Sequence, residues 1–176
     1  MSDAELRHRL YEITELYTGW EVHLQLAAIE ELRVEMPHSV VLAQEAVLGE
    51  PRTYDFNCHA FSFGLYQQEA FWALRESRHD VLPTGQFVCE RVLPAMSEIR
   101  LGVARDHDLV LYFDGEELKH SGVVIDQGVE SKWGTAHRWR HAALEVPLSF
   151  GDTLRCFRAP DAAAVVAAYL EFAGAA

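Results

Sequence analysis

Leu6, Leu10, Ile13, Leu16 and Tyr17 recur at helical spacing between Arg and Glu residues. That spacing predicts an amphipathic helix over residues 3–18, capped by Ser2 or Asp3 and stopped at Thr18-Gly19. Val22, Leu24, Leu26, Ile29 and Leu32 repeat the pattern over 21–34, until Pro37 breaks it. Val40 to Leu48 is apolar without a clear period, so helix and strand both remain open, and Gly49-Glu50-Pro51 ends it.

The middle of the chain opens with a polar turn, Arg52 to Asn57. Small and aromatic residues from Cys58 to about Gln68 suit a helix, and Phe71, Trp72 and Leu74 mark another over 69–76. Asp80 to Gln86, with Pro83 and Gly85, reads as a loop. Phe87 to Met96 fits a helix or a short strand.

From residue 108 the period changes to that of strands. Asp108 to Phe113, His120 to Ile125 and Val129 to Trp133 are three β runs. Turn residues at Asp114-Gly115 and Asp126-Gln127-Gly128 separate them. Arg138 to Leu144 is undecided, and Glu145 to Leu148 is expected as an edge strand. Thr153 to Arg158 is a last strand, and Pro160-Asp161 starts an alanine-rich closing helix over 162–172. Helices, then an antiparallel meander, then one helix make an α+β chain. No repeat or linker interrupts it, so the 176 residues are expected as one domain: a helical N-terminal part (1–50), a core (52–158) and a closing helix (160–174).

Charge narrows the partners. Twenty-seven acids against 15 bases give a formal net charge of −12, which argues against nucleic acid and anionic membrane. Lys132, Arg138 and Arg140 form a basic cluster too small to reverse that. No apolar signal core follows the acidic N-terminus and no apolar run is long enough for a bilayer. The expectation is a cytoplasmic protein, or one exported without a cleavable signal peptide. Three widely spaced cysteines without CxxC suit a reducing compartment. The N-terminal helices are a candidate docking element for a protein partner, and no cofactor is implied.

Cys58 is the residue with the clearest chemistry. A cysteine at a helix start meets unpaired N–H groups and the positive end of the dipole, both of which favour the thiolate. The candidate base is His120, at the head of the β run His120-Ser121-Gly122-Val123-Val124-Ile125. Cys89 and Cys156 sit in apolar runs and read as buried hydrophobes, and His59 reads as packing or capping. His137 and His141 have i, i+4 spacing, ligand-like for zinc on a helix, but no third ligand has diagnostic spacing, so no metal is assigned.

Three pieces carry a resemblance: Asn57-Cys58-His59-Ala60, then Asp108-Leu109-Val110-Leu111-Tyr112-Phe113, then His120-Ser121-Gly122-Val123-Val124-Ile125. In order and spacing, residues 52–135 resemble the papain-like cysteine hydrolases, in particular the NlpC-like and CHAP-type amidase/peptidase branch. The resemblance implies a Cys-bearing helix packed on an antiparallel sheet, a Cys58–His120 dyad and an amide substrate, either a peptide or an amide side chain. It departs from the branch at His107, where a Gly is usual, and at His59, where Ser is common. Residues 1–50 and the last forty have no counterpart in it.

The resemblance places a third catalytic residue on the strand after the His strand, here Val129-Glu130-Ser131-Lys132-Trp133-Gly134. Alternation decides which side chain reaches His120. A two-residue turn at Gln127-Gly128 puts Ser131 and Trp133 on its face, a three-residue turn Glu130 and Lys132, and His141 is a further option. The Cys58 N–H, with Tyr54 or Asn57, would form the oxyanion site, with Lys132 and Trp133 beside the substrate. The expected function is amide hydrolysis or acyl transfer. The rivals are a catalytically inactive binding module, using the surface from Trp133-Gly134 to His141, and a zinc-binding protein.

Overall fold

The computed structural model describes residues 3–174. Ser2, one of the two candidate caps, lies outside them. Among the described residues, seven strands form one antiparallel sheet with helices on both faces, an α+β architecture. The strands are β1 (Val41–Gln44), β2 (Glu98–Ile99), β3 (Leu109–Asp114), β4 (Glu117–Ile125), β5 (Gly128–Lys132), β6 (Arg138–His141) and β7 (Thr153–Phe157). Their spatial order is β1-β6-β5-β4-β3-β7-β2.

The N-terminal helices α1 (Asp3–Leu16) and α2 (Leu24–Glu35) cover one end of one face. Leu6, Leu10, Ile13, Ile29 and Leu32 pack there with Trp133 and Trp139. Beside them Val110, Tyr112, Val124, Val129 and Cys156 continue the same face. α1 and α2 therefore form a layer over the core. Arg7, buried on α1, donates to the carbonyls of Val146 and Gly151 and ties α1 to the segment below it.

The opposite face carries the larger core. Leu109, Leu111, Phe113 and Phe157 meet Phe61, Phe71, Phe87, Val165 and Tyr169 from the helices above. These helices are α3 (Pro51–Tyr54), α4 (Cys58–Ser62), α5 (Glu69–Ser77), α6 (Gly85–Phe87) and α7 (Ala162–Phe172), with α4 over β4 and β5. α4 is shorter than its sequence suggests. Gly64 turns left-handed at φ 70° and only a 3-10 turn, Leu65–Gln67, follows.

The undecided segments now resolve. Val41–Gln44 is an edge strand on β6, and Arg138–His141 is the strand between β1 and β5. Residues 88–95 stay helical, through a π turn (Val88–Val92) and a 3-10 turn (Leu93–Ala95). The edge strand expected at Glu145 to Leu148 does not form. Pro147 leads there into a 3-10 turn, Leu148–Phe150, and the Glu145 carboxylate is taken by the N–H and hydroxyl of Ser39.

Gly151 closes that turn at φ 97°, ψ 162°, a region open in practice only to glycine. A Cβ there would also run into the Phe113 carbonyl. Gly151→Ala is expected to destabilise the fold by roughly 3 kcal/mol, from backbone strain together with overpacking. Urea unfolding of the variant beside wild type measures it.

Candidate functional site

Cys58 is the first residue of α4, and Asn57 caps it by accepting from the Ala60 N–H at 3.0 Å. The other end of the Asn57 amide donates to the Pro83 carbonyl at 2.8 Å. Asn57 is therefore a cap tied to the 83 loop, with both ends of its amide engaged. Its backbone is extended (φ −104°, ψ −177°), which aims Cys58 down at the sheet.

The residue that meets Cys58 there is Ser121, not His120. Ser121 pairs with Leu111, which lies in the core beneath α4. His120 pairs with Tyr112, which lies in the core of the other face. Successive strand residues point to opposite faces. The thiol–imidazole pair expected from the sequence is not assembled, because alternation along β4 sends His120 away from α4. Its ring stacks on Phe150, centroids 3.8 Å apart, with Tyr112 at 5.5 Å. Its Nε2 is buried without a partner among the described residues, and burial holds the imidazole well below its ordinary pKa.

Three other groups gather around the thiol. The Ser121 hydroxyl shares a 2.8 Å hydrogen bond with His59 Nδ1, one residue along α4. Lys132, wholly buried, comes from β5 on the same face as Ser121, because Gly122 pairs with Ser131. Its Nζ donates to the carbonyls of Thr53 at 2.7 Å and Ala136 at 2.5 Å, and lies 4.3 Å from the Phe56 ring centroid.

Burial dominates the electrostatics. The Cys58 thiol is pushed up to about 11, although N–H groups of Ser121, His59 and Cys58 and the Ser121 hydroxyl pull the other way. Burial lowers His59 to about 4. It lowers Lys132 to about 7, with the Arg138 charge adding to the effect and Cys58 opposing it. In the resting protein the thiol and His59 are neutral, and Lys132 is poised at physiological pH.

Ser131 and His141 occupy the far face with His120. Ile125 pairs with Gly128 around a two-residue turn, Asp126-Gln127, both at positive φ (48° and 66°). That register puts Ser131 on the His120 face, but its hydroxyl is spent within a closed chain. Trp133 Nε1 donates to Ser131 Oγ at 3.1 Å, Ser131 Oγ meets His141 Nε2 at 2.8 Å, and His141 Nδ1 meets the Ala142 carbonyl at 2.8 Å. A carbonyl only accepts, so Nδ1 carries the proton and Ser131 donates to Nε2. The network orders the core beneath α1 and α2, and does not orient His120.

His137 and His141 lie four residues apart along an extended segment, about 13 Å, rather than on a helix face. His137 instead binds the Ala46 N–H through Nδ1 and the Val22 carbonyl through Nε2. Among the described residues no group of three or more His, Cys, Asp or Glu side chains is placed to hold a metal. Cys58, Cys89 and Cys156 are all free thiols, Cys156 buried and Cys89 half-buried. Tyr54 and Trp133, expected beside Cys58, line a separate cleft of about 240 Å³. His59 and Ser121 were not singled out by the sequence as site residues. The missing signal was register, since a serine beside a histidine reaches Cys58 only if the histidine does not.

No protein-family model matches the chain, and neither does any curated protein or solved structure. No helix among the described residues is long and apolar enough to cross a membrane.

Proposed function

We propose that the chain is a cysteine-dependent acyl hydrolase or acyltransferase acting at an amide, with Cys58 as nucleophile and Lys132 as proton acceptor. The observation that carries this reading is the convergence of Cys58, Ser121, His59 and Lys132 on one sheet face beneath the start of α4. The order of Cys helix, strand and His strand also supports a papain-like arrangement, altered in the residue that faces the thiol.

Proton affinity selects the base. His59, lowered to about 4, is a weak acceptor for the proton of a thiol raised to about 11. Lys132, held near 7 with the Cys58 charge already favouring its protonated form, is the stronger acceptor. As a neutral amine Lys132 keeps its two carbonyl bonds and has one lone pair left. The thiolate attacks the carbonyl carbon, and the new ammonium protonates the departing amine. A thioester on Cys58 results, which water or a second nucleophile resolves. The N–H groups of Ser121 and His59 that face the sulphur stabilise the thiolate on the way. The substrate is a peptide or small amide.

The rival is a catalytically inactive binding module, and one observation favours it: Cys58 is only 7% exposed. The test is the acylation rate of Cys58 by a peptide thioester between pH 5 and pH 9. The expected profile rises through a midpoint near pH 7, as Lys132 loses its proton. Lys132→Met, checked for folding by circular dichroism, is expected to lower the rate roughly 100-fold and flatten the profile. His120→Ala is expected to change the rate by no more than about twofold. A profile unaltered by Lys132→Met, or lost in His120→Ala, overturns the assignment of the base. No acylation in the wild type favours the binding module.

A further inference from the structure

The 240 Å³ cleft lies between the end of α1, the turn that follows it, the Trp133 to Ala136 turn and Phe150. Among the described residues no Lys, Arg or His lines it. Its walls include Tyr54, Trp133 and Phe150, and its one charged residue is Glu15, exposed in the last turn of α1. That last turn carries no basic residue, although the C-terminal end of a helix favours positive charge.

The polar groups of the lining also have a direction. Gln25, 2% exposed, gives its Nε2 to the Tyr17 carbonyl at 2.6 Å. That bond fixes the amide orientation, because a flip would set two acceptors against each other. Its Oε1 is left buried with no partner among the described residues. Trp133 turns its N–H inward to Ser131. Two donors are thus committed elsewhere, while a carboxylate, an orphan amide oxygen, aromatic rings and the hydroxyls of Thr18, Tyr54, Thr135 and Ser149, which accept as well as donate, remain. An acceptor-rich, aromatic, anionic cleft suits a cationic hydrogen-bond donor.

We propose that this cleft binds an organic ammonium group on a short aliphatic stem, with Gln25 Oε1 and Glu15 as its acceptors and the ring of Trp133 or Phe150 as its wall. The volume falls below the roughly 300 Å³ at which drug-sized ligand pockets begin, so the occupant is one side chain or a small amine. A lysine side chain of a peptide and a free alkylamine share this chemistry. The proposal does not depend on the reactivity of Cys58.

The test is a titration of the intact protein followed by ¹H–¹⁵N NMR, with Nα-acetyl-lysine methylamide, n-butylamine and Nα-acetyl-norleucine methylamide as probes. The two amines are expected to shift the Gln25 side-chain amide and the Trp133 indole resonances, and the uncharged norleucine probe is not. Tighter binding of the lysine probe than of butylamine identifies a peptide as the source, and the reverse a free amine. Glu15→Gln, at an exposed position that leaves the core intact, is expected to weaken amine binding at least fivefold. Equal shifts from the norleucine probe, no loss in Glu15→Gln, or no shift at Gln25 with either amine overturns the proposal, the last meaning that water alone satisfies Oε1.

Discussion

Lowering the pH from 7 to 4 is expected to remove about 6 kcal/mol of stability, because two buried histidines must take up protons. His59 and His141 titrate near 4 in the folded chain, against an ordinary value of 6.5. Between those values the unfolded chain binds more protons, so stability falls as pH falls. Each group contributes about 3 kcal/mol at full effect, and His120 acts in the same direction. Single domains hold only about 5–15 kcal/mol in all, so unfolding is expected between about pH 4 and 5.5. Tryptophan fluorescence against urea at pH 7, 6, 5 and 4.5 measures the slope. His141→Gln can accept from Ser131 and donate to the Ala142 carbonyl without titrating, and it is expected to make the slope shallower. An unfolding free energy that holds constant from pH 7 to 4.5 would contradict this account of the buried histidines.

Cys58→Ala is expected to abolish acyl transfer, by at least about 10³-fold, since the thioester has no other atom on which to form. The fold is expected to survive, because the substitution removes one sulphur atom and leaves the Ser121–His59 hydrogen bond in place. Cys58→Ser is expected to do little better. An alcohol is far harder to ionise than a thiol, and burial already raises the thiol. Cys89→Ala is expected to leave activity intact, since Cys89 lies outside the cluster and burial raises its thiol too. Turnover of an amide or thioester substrate by the three variants separates these cases.

The extent to which sequence reveals this molecule differs by element. α1, α2, α7 and strands β3 to β5 are long and periodic, and their patterns show them directly. β1, β2 and β6 are edge-like or short, with two to four residues each. β6 reads Arg-Trp-Arg-His, whose alternation is meaningful only once Trp139 and His141 are known to face the N-terminal helices. Glu145 to Leu148 has strand-like residues but lacks a partner strand, since Glu145 binds Ser39 and Pro147 bends the chain.

The site divides in the same way. Cys58 at a helix start is local and legible. Which neighbour of the His120-Ser121 pair faces it depends on register, and register follows from the whole sheet. The turn at Asp126-Gln127 shows why: neither residue at positive φ is a glycine, so the sequence points to Gly128 and obscures the loop length. Lys132 as a buried amine beside the thiol follows from that register as well.

The most direct test is the covalent intermediate itself. A peptide thioester is mixed with the protein at pH 8, quenched in acid within seconds and followed by intact mass and peptide mapping. The account predicts one hydroxylamine-sensitive acyl adduct, on Cys58, reduced in Lys132→Met and missing in Cys58→Ala. No adduct, or an adduct on Cys89 alone, would contradict it and leave Cys58 as a packed core thiol.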